Sequence, residues 1–247
     1  MVMGYMDNFF TAADNVFERI RTTQRGAIED AAEAVAASLA NGGAWCVMDT
    51  GHMLKHEAFN RAGGLMTIAP FSYALNVENP LEHRDENHTE AELAELESRT
   101  VALALDRSRL RSGDVLIINS NSGRTTNVIE TALQCRERGI VTIGISSSAQ
   151  MRGCDAAHPS GKKLFDVVDI ALDNCAPFGD AAVEVKDNEK MCPMSGLAGT
   201  YCLWAVHAEA VERLQARGVN PTIFRSVHVS GGGFVEEQRK KFREKGI

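Results

Sequence analysis

The run Ser120-Asn121-Ser122-Gly123-Arg124-Thr125-Thr126 sets four hydroxyl side chains, a glycine and a guanidinium within seven residues, a composition suited to holding an anion. Directly before it, Val115 to Ile118 is an unbroken apolar run, as expected of a strand buried on both faces of a parallel sheet. Directly after it, Val128, Ile129, Ala132 and Leu133 recur at helical spacing. The serine and threonine side chains and free N–H groups between them therefore fall at a helix N-terminus. A phosphate there would meet the positive end of the helix dipole, several backbone donors and the hydroxyls. The plain alternative is an ordinary strand-to-helix turn with a Ser or Thr cap. Other phosphate and nucleophile motifs fail. No Gly-x-x-x-x-Gly-Lys-Ser/Thr occurs, Gly231-Gly232-Gly233 lies after the last strand pattern, and no Gly-x-Ser-x-Gly elbow surrounds Ser122.

The elements that must position this loop are readable from periodicity. From about Asp7 to Leu39 the pattern is helical, with one stripe of Phe9, Phe10, Ala13, Val16, Phe17 and Ile20 and another of Ile28, Ala31, Ala32, Val35 and Leu39; Asn41-Gly42-Gly43 ends it. Apolar strands then alternate with helices. Ala44 to Met48 is followed by a helix from about His52, and Leu65 to Ala69 by a helix from about Thr89 to Leu105. Val115 to Ile118 is followed by a helix to Arg138, and then come Val141 to Ile145 and Val167 to Leu172. A last long helix runs from about Ser195, its expected N-cap, to Arg217. Five strands joined by crossovers imply an α/β fold, a doubly wound parallel sheet. With the order 2-1-3-4-5, Asp49-Thr50-Gly51-His52 and Ser120 to Thr125 face each other across one crevice beyond the carboxyl ends of the strands. Residues 1–247 read as a single domain, with an N-terminal helical extension (1–41), an α/β core (42–217) and a C-terminal tail (218–247).

Composition narrows the class. At 247 residues, 44% hydrophobic and 24% charged, the chain has the make-up of a soluble globular protein with a full core. A net charge of −7 argues against nucleic acid as the partner, and Arg239-Lys240-Lys241-Phe242-Arg243 reads as a solvated helical tail. Six cysteines without a Cys-x-x-Cys pair, a start without a signal-like apolar segment and no run long enough to cross a bilayer lead to the expectation of a cytoplasmic protein with reduced thiols and no membrane partner.

Asp114 to Ser148, with the Ser120–Thr125 loop and the later Ile145-Ser146-Ser147-Ser148 turn, closely resembles the SIS (sugar isomerase) domain. The resemblance extends to Gly51-His52, Phe59-Asn-Arg-Ala-Gly-Gly-Leu65, His158-Pro-Ser-Gly-Lys162, Asp173-Asn174, Gly179-Asp180 and Phe224-Arg225-Ser226, which look like a stand-alone branch of phosphosugar isomerase-like proteins. It implies a homodimer or homotetramer and a phosphorylated sugar held by the loops after the first, third and fourth strands, without a cofactor and usually without a metal. The implied contacts are Thr50, Gly51, Ser120, Asn121, Ser122, Gly123, Arg124, Thr125, Ser146, Ser147 and Asn174. One departure stands out: where relatives commonly show Gly-x-Gly-x-Ser, this chain has Asp49-Thr50-Gly51-His52-Met53. An inward-pointing Asp49 would repel a phosphate dianion.

Aldose–ketose isomerisation needs a base that moves a proton between adjacent carbons and a donor that steadies the enediolate. Glu57 is the candidate base and His52 the candidate assistant; a solvent-facing glutamate is the bland reading of the first. His52 and His56 share a helix face at i and i+4, but with no carboxylate at ligand spacing no metal is expected. His83 and His88 stand in a charged connection that is either a lid or simply solvated. Lys162, Lys163 and Arg124 are candidate phosphate cations, Asn174, Gly179 and Asp180 candidate partners of sugar hydroxyls, and Arg225 a candidate reaching into another subunit. Three functions fit: an isomerase acting on a sugar phosphate, amino sugar phosphates included; a phosphosugar sensor without catalysis; and a lyase or etherase on an amino sugar phosphate.

Overall fold

The computed structural model describes residues 4–51, 54–81, 83–84 and 88–247. Five short strands form one parallel sheet: β1 (Trp45–Asp49), β2 (Ile68–Pro70), β3 (Val115–Asn119), β4 (Val141–Ser146) and β5 (Ile170–Asp173), in the order β2-β1-β3-β4-β5. This is the doubly wound α/β sheet expected from the sequence. Alternate residues of each strand serve opposite cores, as the two-residue period dictates. Trp45, Val47, Val115, Ile117, Ile143, Ile145 and Leu172 face α1 (Tyr5–Thr23), α2 (Arg25–Ala40) and a late helix from Ser195 to Ala216. Met48, Leu116 and Ile118 face α3 (Glu90–Arg107) and α4 (Thr126–Glu137). β3 is buried at every position, so each of its aliphatic side chains contributes about 1.5–3 kcal/mol. That rigidity is delivered to the loop at its carboxyl end.

The N-terminal stretch is two helices rather than one, broken at Gln24, whose backbone (φ −110, ψ 4) leaves the helical basin. Beyond β4 come the single turn α5 (Ser148–Arg152) and a 3-10 turn at Leu164–Asp166. The expected fifth strand, Val167 to Leu172, begins only at Ile170, after the bend that follows this turn. β2 likewise starts at Ile68 rather than Leu65. After β5 a hairpin unforeseen from the sequence, β6 (Ala181–Glu184) and β7 (Lys190–Pro193), precedes the long helix α6 (Ser195–Ala216). Two further helices, α7 (Val227–Ser230) and α8 (Gly232–Lys245), follow α6, so α6 does not close the chain. The basic 239–243 segment lies on α8, as expected of a helical tail.

The helix expected after β1 is absent among the described residues. Residues 54–58 make one turn, with Leu54 O accepting from Glu57 N and Ala58 N. The irregular path that follows is held from elsewhere in the chain, because buried backbone groups must find partners. Leu65 N donates to His207 Nε2 at 3.1 Å, Met66 N to Thr222 O, Gly63 N to Phe224 O, and Phe224 N to Gly64 O. His52 and Met53 lie outside the described residues, as do Glu82 and residues 85–87 of the charged connection. Among the described residues no helix is long and apolar enough to cross a membrane.

Candidate functional site: an amide and hydroxyl cradle

The loop from Ser120 to Thr125 is shaped from behind. The carbonyl of Asn121 accepts from Ser147 N and from Ser146 Oγ, each at 3.1 Å, that of Gly123 from Leu164 N at 2.8 Å, and that of Arg124 from Ala157 N at 3.1 Å. In a trans peptide the N–H points opposite to the C=O. The next amides, Ser122, Arg124 and Thr125, are thereby turned away from those donors. Among the described residues, none accepts a hydrogen bond from any backbone N–H between Asn121 and Asn127. Gly123 makes the turn at φ +56, and a Cβ there would lie 2.8 Å from Met151 Sδ, 2.9 Å from Ser146 Oγ and 3.0 Å from Leu164 Cβ. Only glycine fits. A run of amides at the N-terminus of α4, unpaired among the described residues, beside the Ser122 and Thr125 hydroxyls has the chemistry of an anion-binding concavity.

This loop forms one wall of a cavity of about 570 Å³. Thr50 and Gly51 after β1 form another, with Asn127 on α4, Gln150 on α5, and Gly179, Asp180 and Ser195 opposite. Both loops that were expected to share a crevice do line it. Asp49 does not enter it as a bare charge: its Oδ2 accepts from Leu54 N at 2.8 Å and Lys55 N at 3.0 Å, and its Oδ1 from Asn119 Nδ2 at 2.8 Å. The carboxylate caps the turn after β1. Asp180 is occupied similarly, accepting from Met194 N, Ser195 N and Ser195 Oγ. It caps α6 from a distance, so Ser195 is the first helical residue and Met194 the N-cap, not Ser195 as expected. Among the described residues lining the cavity, Asp180 is the one ionisable side chain. The described lining offers an anion hydroxyls and backbone amides and no cationic side chain.

The remaining sequence candidates are distributed as follows. Thr50, Gly51, Ser120, Asn121, Ser122 and Thr125 line the cavity. Ser146, Ser147 and Asn174 are buried behind it: Ser147 Oγ donates to Ala176 O at 2.7 Å, and Asn174 Nδ2 donates to Asn121 Oδ1 at 3.1 Å. They brace the cradle. Arg124 turns its side chain into a neighbouring crevice of about 600 Å³, with Glu97, Thr126 and Asn127 on its walls. Lys163 Nζ donates to Met151 O, and neither Lys162 nor Lys163 lines the cradle cavity. Glu57 sits on the turn after β1, paired with Arg61 at 3.3 Å, and it too is away from the cavity lining. His52 falls outside the described residues.

The sequence reading gave no role to Glu130. His158 Nε2 meets Glu130 Oε1 at 2.9 Å, with side chains 9% and 15% exposed, and Glu130 Oε2 accepts from Ser98 and Gln134. Although burial pushes upward, the hydrogen bonds from His158, Gln134 and Ser98 hold the Glu130 carboxyl below the usual range. Because His158 Nδ1 accepts from Ser160 N at 3.1 Å, Nε2 is the protonated nitrogen. The pair pins the segment after α5 to α4 below the cradle, and only the i+4 spacing of Glu130 and Gln134 hinted at it.

Comparison with known proteins identifies the family. The SIS domain model matches residues 8–147. The chain is 31% identical over 228 residues to a UPF0309 protein of Halalkalibacterium halodurans, covering 91% of this chain and 92% of that one. It is 32% identical over 252 residues to a UPF0309 protein of Thermoanaerobacter pseudethanolicus, covering 99% and 97%. Among solved structures it is similar to a phosphoheptose isomerase from Neisseria gonorrhoeae, at a TM-score of 0.49 and 16% identity over 84% of this chain and 95% of that one. With the sheet order, the loop after β3 and the match over more than half its length, the chain belongs to the SIS domain family.

Proposed function

We propose that this protein binds a phosphorylated sugar and interconverts its aldose and ketose forms by proton transfer through an enediol. The cradle carries the reading: amides from Asn121 to Asn127, unpaired among the described residues, with the Ser122 and Thr125 hydroxyls at the N-terminus of α4, suit a phosphate ester. The sugar body then extends toward Thr50 and Gly51 on one side and Gly179 to Ser195 on the other, within a cavity large enough for a hexose or heptose phosphate. For the chemical step Glu57 is the base and His52, which follows Gly51 in the sequence, assists the proton transfer.

The test is thermal unfolding with a panel of hexose, heptose and amino sugar phosphates. A ligand at a hundredfold excess over its Kd stabilises by about 2.7 kcal/mol, a rise in Tm on the order of 5–10 °C for a chain of this size. No rise with any member would remove the proposal. For the sugar that binds, uptake of deuterium from solvent at its second carbon separates isomerisation from mere binding. A second reading, a phosphosugar sensor, is favoured by the absence of a free acid or base among the described residues that line the cavity. It predicts the thermal shift without deuterium uptake. Release of a small acid from an amino sugar phosphate ether would instead indicate a lyase.

A further inference from the structure

The Arg124 guanidinium is held without a partner. Arg124 is half-buried, yet among the described residues its side chain forms no ion pair and no hydrogen bond, and its Nε is shielded from water with no acceptor. Such a group is costly unless something supplies an acceptor. The side chain opens on the crevice of about 600 Å³ beside the cradle. The surroundings of Arg124 are fixed: Arg124 O accepts from Ala157 N at 3.1 Å, and Thr126 Oγ1 donates to Ala157 O at 3.4 Å. The loop that carries Arg124 is thereby tied to the segment that floors the crevice. Another wall is α3, which supplies Glu90, exposed on its first turn, and Glu97, half-buried, with Oε1 accepting from the Tyr73 hydroxyl at 3.5 Å. Neither carboxylate is ion-paired with Arg124 or with any other cation among the described residues. The rest of the lining is largely apolar, with Leu93 and Ala94 on α3 and Ala156 and Ala157 on the floor.

We propose that this crevice binds a free α-amino acid, with its carboxylate on Arg124, its ammonium on Glu97 and its side chain over the apolar patch. The charges on the walls select the ligand class. An anion alone would face two carboxylates, and an amine alone would leave the guanidinium without an acceptor. A zwitterion satisfies both walls at once. The planar guanidinium can take a carboxylate through two parallel N–H bonds, which a lysine could not offer. Between the charged groups, Leu93 and the alanines favour a small or aliphatic side chain over a charged one. The site is separate from the cradle but shares its loop: the backbone amide of Arg124 is unpaired among the described residues, the side chain of Arg124 lines the crevice, and Asn127 lines both cavities. It stands whether or not the cradle's ligand is transformed.

Thermal unfolding of the full chain with a panel of the standard α-amino acids tests this. At about tenfold excess over Kd, a rise in Tm of about 3–6 °C is expected from at least one member with a small or aliphatic side chain. The matching carboxylic acid without the amine, and the matching amine without the carboxylate, should give none. Arg124→Gln and Glu97→Gln should each remove the rise. Glu97→Gln keeps the size of the side chain and an acceptor for Tyr73, so it decides the matter if the Arg124 variant misfolds. Ser122→Ala, in the cradle, should leave the response to the amino acid intact while it weakens the response to phosphate esters, so the two sites fail separately. No rise from any amino acid, an equal rise from the acid lacking its amine, or a rise that survives Glu97→Gln would overturn the proposal.

Discussion

Gly123 is the position where a single methyl group distinguishes a cradle from an ordinary turn. Alanine there would be strained twice, by the left-handed backbone at φ +56 and by Met151 Sδ, Ser146 Oγ and Leu164 Cβ within 2.8–3.0 Å of the new carbon. Gly123→Ala should therefore cost about 1–3 kcal/mol in urea unfolding and abolish the thermal shift given by phosphate esters. Ser122→Ala, on a hydroxyl with no partner among the described residues, should stay within about 0.5 kcal/mol in stability yet weaken that shift. If the two variants lost binding equally and neither lost stability, the loop would not be the strained amide cradle described. The residue scale also shows how the sequence misleads. Ser120 to Thr125 was legible because strand, turn and helix are contiguous there. The inward duty of Ser146, Ser147 and Asn174 was not, since it depends on carbonyls and amides of loops far away in the chain. Asp49 would repel a phosphate if it pointed inward, and in place its carboxylate is an acceptor for two amides of its own turn.

At the scale of elements, short carboxylates at strand ends recur as backbone clamps: Asp114 on Ala44 N and Arg111 N, Asp169 on Thr142 N, Asp173 on Ser148 N and Cys175 N, and Asp180 on the start of α6. Asp180 is the most consequential, because it joins the post-β5 loop, one wall of the cavity, to a 22-residue helix. Asp180→Ala removes three hydrogen bonds at the α6 N-terminus, so a loss of about 1–3 kcal/mol is expected, with weaker sugar binding even though the carboxylate need not touch ligand. Asp180→Asn, keeping acceptor geometry on one oxygen, should recover part of both; equal loss in the two variants would argue against a capping role. Elements with long apolar runs or clean helical stripes were readable. The β6–β7 hairpin was not, although its signal exists: Asp187 and Asn188 adopt φ +61, residue types that tolerate the left-handed turn, but only Val183 of the hairpin strands is buried. The helix expected after β1 failed for the opposite reason. Its residues favour helix locally, and remote partners such as Thr222, Phe224 and His207 override that preference.

Across the whole molecule, the same His207 contact makes stability depend on pH. The ring lies between Trp45 and Trp204, at centroid distances of 5.6 and 5.0 Å, and it is 5% exposed. Its Nε2 accepts the Leu65 N–H, which requires the neutral ring with its proton on Nδ1, an atom without a partner among the described residues. Burial pushes the His207 pKa from 6.5 down to about 4. An unfolded chain takes up this proton near pH 6.5 while the folded chain resists it until about pH 4. Stability is therefore full above pH 6.5 and falls progressively between 6.5 and 4, by at most about 3 kcal/mol from this group. Protonation would break the Leu65–His207 bond, which ties the β1–β2 connection to α6, and that connection forms the Thr50–Gly51 wall. Urea midpoints followed by tryptophan fluorescence at pH 7.5, 6.5, 5.5 and 4.5 measure the slope. His207→Gln keeps an acceptor for Leu65 N–H but does not titrate, so it should be less stable at pH 7.5 and lose much less on acidification. Parallel slopes for the two proteins over this range would assign the acid sensitivity to carboxylates instead, leaving His207 a packed ring with no part in it.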